Sequence, residues 1–134
     1  MPVAPMTAAD PERVLPQSSS WHLSAGDAKV SRIDAIEGVP MGAPVELHEL
    51  IVTPTMSMVK VAWAKGSASK PHTHHDHDSV VYVISGRLRV TAEGETVEAG
   101  PGDSLTSPPG VKHAIEALEE SVSNEIKTPP IRTR

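Results

Sequence analysis

The 134-residue chain contains no cysteine and no phenylalanine. The first absence removes any disulfide framework and any zinc site built on thiolates, and it leaves the redox compartment open. The second, with Tyr82 the one tyrosine and Trp21 and Trp63 the two tryptophans, leaves Val, Ile, Leu and Ala to fill the core. Basic residues are scarce too. Twelve Lys and Arg against 17 Asp and Glu give a formal net charge of −5, without the basic stripe that a phosphate backbone demands, so nucleic acid is not an expected partner. No apolar run approaches the roughly 18 to 20 residues that cross a bilayer. Met1-Pro2-Val3-Ala4-Pro5 also lacks the basic start and apolar stretch of a signal peptide, so a soluble, cytoplasmic protein without a membrane partner is expected.

This length has room for one domain. Residues 1–20 carry Pro2, Pro5, Pro11 and Pro16 and end in Gln17-Ser18-Ser19-Ser20, a composition that predicts a flexible N-terminal arm ahead of a domain over residues 21–134. Within the arm, Asp10-Pro11-Glu12-Arg13 has the cap and first-position proline of one helical turn. From Lys29 on, short alternating or β-branched runs recur between Gly and Pro stops: 29–33, 45–52, 56–64, 79–84, 87–92, 95–98, 104–106, 113–117 and 121–127. About nine such strands predict an all-β sandwich or barrel. Ser85-Gly86 and Glu93-Gly94 have the chemistry of two-residue hairpin turns. The run from Ser79 to Ile84 is apolar on both faces apart from Ser79, which predicts a strand covered on both sides. A barrel this small cannot supply both covers, so a sheet-to-sheet homodimer is expected, with Tyr82 and Trp63 near the contact.

What is abundant is histidine in one place. Four of the seven histidines fall in Pro71-His72-Thr73-His74-His75-Asp76-His77-Asp78, and His113 follows Pro108-Pro109-Gly110 about forty residues later. Neutral imidazole is the commonest protein ligand for divalent transition metals, so the cluster predicts a metal site. Strand parity would turn His72 and His74 to one side and His75 to solvent.

These residues resemble the cupin family. Its first motif is matched by Gly66, five residues, His72-Thr73-His74, four residues, Ser79, six residues and Gly86, with Ser79 where a Glu is usual. Its second is matched by Gly102, five residues, Pro108, one residue, Gly110, two residues and His113, with Ala117 where an Asn is usual. The resemblance implies a cupin-type double-stranded β-helix, a jelly-roll barrel, with one divalent metal (Fe, Mn, Ni, Zn, Co or Cu) held by His72, His74 and His113. A serine hydroxyl is a poor ligand, so the set is three-His or recruits His77 or Asp78.

Three imidazoles leave the ion more positive than a set containing a carboxylate, which suits a small oxygen-rich anion as substrate. The first functional expectation is therefore dioxygenase-type chemistry on a small molecule. The alternative is a non-redox lyase or isomerase acting on a sugar acid, because the length, the His-x-His segment and the ending Glu125-Ile126-Lys127-Thr128-Pro129-Pro130 resemble the small cupins of pectin and uronate breakdown. A third class, a non-catalytic ligand sensor, would require a partner to receive the signal. The sequence assigns no catalytic residue; His77, Asp78, Ser79 and His48 are the candidates, His48 because it shares a strand face with Leu50.

Overall fold

The structure, a computed structural model, describes residues 5–133. Ten strands form: β1 (Lys29–Ile36), β2 (Val39–Val52), β3 (Ser57–Trp63), β4 (Ala68–His72), β5 (Asp78–Ser85), β6 (Leu88–Ala92), β7 (Glu95–Ala99), β8 (Ser104–Thr106), β9 (His113–Ala117) and β10 (Ser121–Thr128). The strand missing from the sequence reading is β4, whose Ala-Ser-Lys-Pro-His has no apolar alternation. It lies at the edge of its sheet, where Pro71 removes no needed ladder bond.

Two antiparallel sheets make the jelly roll, one ordered β1-β2-β3-β10-β5-β8 and the other β4-β9-β6-β7. Between them pack Met41, Val45, Leu47, Val59, Val61, Trp63, Val83, Leu88, Val90, Ala99 and Ala117. Period-two alternation builds this core: β3 turns Ser57, Val59, Val61 and Trp63 inward, and β5 turns in Ser79, Val81 and Val83. The inner face of β10 is different. It presents Ser121, Ser123, Glu125 and Lys127, while Ile126 faces out.

Several expectations need correction. Glu93-Gly94 does join the paired strands β6 and β7, with positive φ at both residues. Ser85-Gly86, however, is no hairpin turn: β5 and β6 belong to different sheets, and the chain crosses between them there. Gly86 has φ +85°, and a Cβ on it would stand 2.4 Å from the Glu120 carbonyl oxygen, so only glycine fits. β5 is buried on one face alone; Val80, Tyr82 and Ile84 are 51, 51 and 43% exposed. Trp63 points into the core, where its Nε1 donates to Ser123 Oγ at 3.1 Å, so it is not at an outer contact surface.

The stretch expected as a flexible arm departs most. Residues 1–4 of it lie outside the described residues. From Thr7 on it is tied to the barrel, with Thr7 N donating to His75 O and Leu15 N to Pro130 O. The predicted turn forms over Pro11–Arg13, with Asp10 Oδ1 accepting from Glu12 N. Arg13 is the anchor that composition could not reveal: it is 3% exposed, and its charge is met by two carboxylates.

Candidate active site

The two histidine motifs meet because β4 pairs with β9, which sets His72 directly opposite His113 across the ladder. Their rings are 4.4 Å apart, and His74 lies 5.2 Å from His113. His74 is not on a strand, contrary to the parity argument. It sits just beyond β4, where Gly110 N donates to its carbonyl at 2.8 Å and so ties the Pro108-Pro109-Gly110 turn to the histidine loop. His77 stacks on His74 with centroids 3.8 Å apart. His72, His74, His77 and His113 are all buried, and His75 is exposed as expected.

Hydrogen bonds fix which ring nitrogens face the cavity. His72 Nδ1 donates to Lys70 O at 2.7 Å and His113 Nδ1 to Val111 O at 2.8 Å. A carbonyl only accepts, so each Nδ1 carries the proton and each Nε2 keeps a lone pair. His77 Nδ1 likewise donates to Asp76 Oδ1 at 2.8 Å. His74 Nδ1 is buried with no partner among the described residues, an orphaned donor-acceptor that a bound ion or ligand would satisfy. Lone-pair nitrogens on buried, neutral imidazoles are what a divalent transition metal needs, and the residues present fit one.

Burial holds His74, His77 and His113 below the ordinary histidine value. It pushes His113 down to about 4, the Val111 carbonyl opposing and the neighbouring imidazoles assisting. His77 falls to about 3, again chiefly by burial and then by the charge of Lys127, against the pull of Asp76. His74 is lowered by burial, with Glu37 and Glu125 working the other way. Asp76 shows the opposite balance: burial would raise it, but the hydrogen bond from His77 and the Arg13 guanidinium hold it below the ordinary carboxylate value.

Glu37, Asp76 and His77 present donor atoms within 4.8 Å of one another. The Arg13 guanidinium already occupies the position between the acids, donating from Nη1 to Asp76 Oδ2 at 2.9 Å and from Nη2 to Glu37 Oε1. The chain Arg13, Asp76, His77 therefore aims an imidazole, in the way a carboxylate orients a metal-ligating histidine.

All four histidines line one open-mouthed pocket. β2 and β3 give it an apolar wall that includes Leu47, Val61 and Trp63, and β10 gives Ser123, Glu125 and Lys127. Three sequence candidates, Asp78, His48 and Ser79, do not line it. Asp78 is exposed and accepts from Ser79 N at 2.9 Å, capping its own strand. His48 lies on the outer side of β2, paired with Glu46 at 2.7 Å, because the inward positions are taken by Val45 and Leu47. Ser79 is buried on the inner face of β5, its hydroxyl without a partner among the described residues. Arg13, Glu125 and Lys127 were not picked out from sequence; the one available signal was a β10 strand whose polar residues alternate.

Comparison with known proteins fits this geometry. The family model for the cupin domain matches residues 59–123. The chain is 37% identical over 65 residues to the pectin degradation protein KdgF of Dickeya dadantii, covering 48% of this chain and 59% of that one. An uncharacterised protein of Methanocaldococcus jannaschii is 32% identical over 40% of this chain and 42% of its own length, so the matches span about half the length of these curated relatives. Among solved structures, KdgF from a Halomonas species superposes with a TM-score of 0.62 at 31% identity, over 66% of this chain and 80% of that one. An RmlC-like cupin from Shewanella frigidimarina has a TM-score of 0.73 at 22% identity over 87% and 96%, a likeness of fold alone.

Proposed function

Starting from a chain that belongs to the cupin superfamily, we propose an enzyme that acts on a small sugar acid by non-redox, lyase or isomerase chemistry in the histidine pocket. The observation that carries this reading is one pocket lined by four imidazoles and by the Glu125 carboxylate, in a chain similar to two KdgF proteins. The oxygen-dependent reading that the neutral ligand set suggested first draws no support from those relatives, and the sugar-acid alternative fits them better.

His72, His74 and His113 would hold one divalent ion, with His77 as the candidate fourth ligand. When bound, the ion supplies Lewis-acid polarisation of a substrate carbonyl or hydroxyl oxygen. The remaining chemistry falls to the protein's own groups. Glu37 is engaged by Arg13, which leaves Glu125 as the pocket carboxylate able to take a proton from substrate carbon or oxygen and return it. Glu125 has Lys127 as an ion-pair partner at 3.8 Å, and among the described residues its oxygens accept no side-chain hydrogen bond. The apolar wall of Val61, Leu47 and Trp63 limits water on the opposite side of the substrate. Outside the pocket, copies of the chain pair through the open face of β5 and β10, where Val80, Tyr82, Ile84 and Ile126 are exposed.

The test is incubation of purified protein with uronate monomers from digested pectin, read by proton NMR and an oxygen electrode together. Rearranged sugar acid without oxygen uptake is the expected result. Product formed in step with oxygen consumption would restore the dioxygenase reading.

A further inference from the structure

Lys127 is the group in the pocket whose placement the chemistry above leaves unexplained. It is 3% exposed, yet it sits on the inner face of β10, where an alternating strand normally places apolar residues. Its cross-strand neighbours are Ser57 on β3 and Ser79 on β5, and neither carries a charge. An ammonium has three N–H donors. Here one goes to Thr133 Oγ1, and Glu125 Oε1 at 3.8 Å is an ion pair too long for a hydrogen bond. The other carboxylates nearby, Glu37 and Asp76, are taken by Arg13. Burial pushes the Lys127 ammonium below the ordinary lysine value, with Glu125 opposing, so a cation this poorly matched is expensive to keep unless something else completes its shell.

We propose that Lys127, with the Thr133 hydroxyl, is the anchor for the carboxylate of the substrate, and so selects acids over neutral sugars. The proposal rests on the sugar-acid reading for the identity of the ligand. A carboxylate brings two acceptor oxygens and one negative charge to an ammonium with donors to spare, and it does so in the pocket that the histidines line. The carboxylate end of the ligand then lies against the start of the C-terminal segment, with its hydroxyl or carbonyl oxygens directed toward the imidazoles. Neutral sugars of the same size would leave the ammonium as unmatched as before.

The experiment is calorimetric titration of the full chain, as purified, with D-galacturonate and with D-galactose. Wild type should favour the acid at least tenfold. Lys127→Met should erase that preference by weakening the acid alone, Lys127→Arg should keep part of it, and galactose binding should not change. A preference for the acid that survives in Lys127→Met would overturn the anchor. If that variant does not fold, wild type labelled with ¹⁵N at lysine answers the question: the Lys127 ammonium signal should shift with galacturonate and stay put with galactose, and a signal indifferent to galacturonate, galactose and acetate alike sinks the proposal. Acetate is the control for substrate class. A Lys127 shift with acetate, when galacturonate binds nowhere, would support the anchor and reject the sugar-acid reading.

Discussion

β3 and β10 are neighbours in one sheet and present the same inner face of the barrel, yet they fill it with opposite chemistry. β3 offers Val59, Val61 and Trp63; β10, paired to it residue by residue, offers Ser123, Glu125 and Lys127. The apolar strand stabilises the fold by removing hydrocarbon from water, at roughly 25 cal/mol per Å². The polar strand works against the fold, because buried polar groups cost free energy unless their partners are supplied. The contrast divides the barrel interior into a dry part around Val83 and Leu88 that serves stability alone and a ligand pocket, which Val61 and Trp63 wall on its apolar side.

Exchanging the roles of the two parts should separate activity from stability. The largest effect is expected from Glu125→Gln, which keeps the shape of the side chain and removes its basicity. Turnover of the acid substrate should fall by about 10² to 10⁴-fold with the melting temperature unchanged. A fully active Glu125→Gln would leave the pocket without its proton carrier. In the dry part, Leu88→Ala should cost about 2 to 5 kcal/mol in urea unfolding, since Leu88 is fully buried, while activity per folded molecule survives.

The pH response sharpens the same division. His77 and His113 are neutral when folded, with values near 3 and 4, but would take protons near 6.5 once unfolded. The unfolded state thus binds more protons below about 6.5, so stability is full above that pH and declines as the pH falls toward 4. Metal-free protein should lose on the order of 5 kcal/mol over that window. Thermal melts that stay flat from pH 7 to 4 would mean that the imidazoles are not held neutral. The smallest effect concerns the outer face: Tyr82→Glu should leave the melting temperature within a few degrees and shift the mass seen by light scattering from dimer to monomer. A wild-type monomer at micromolar concentration would remove the paired state altogether.

Local spacing made the histidine motifs legible, and short strand runs made the β architecture legible, because both depend on residues close in sequence. Pairing across the fold was not. Parity placed His48 with Leu50 correctly as a local statement, but only the barrel decides which face of β2 looks inward. Asp78 had the right chemistry and the wrong side of its strand. Arg13 was hidden because a proline-rich stretch reads as disorder until its buried partners Asp76 and Glu37 are known. Lys127 was hidden for the opposite reason, since a lysine closing a strand is ordinarily a solvated end.

The contacts of Arg13 reach beyond the site. Arg13 and Arg132 bond to each other's backbone, Arg132 N to Arg13 O at 2.7 Å and Arg13 Nε to Arg132 O at 2.9 Å, and Val14 bridges to Ile131. The early and late segments of the chain therefore already lie side by side, as they would in a ring. A short linker joining them, with new ends cut at the exposed Glu93-Gly94 turn, should give a circular permutant that keeps the barrel, the histidine loop and its guanidinium clamp in register.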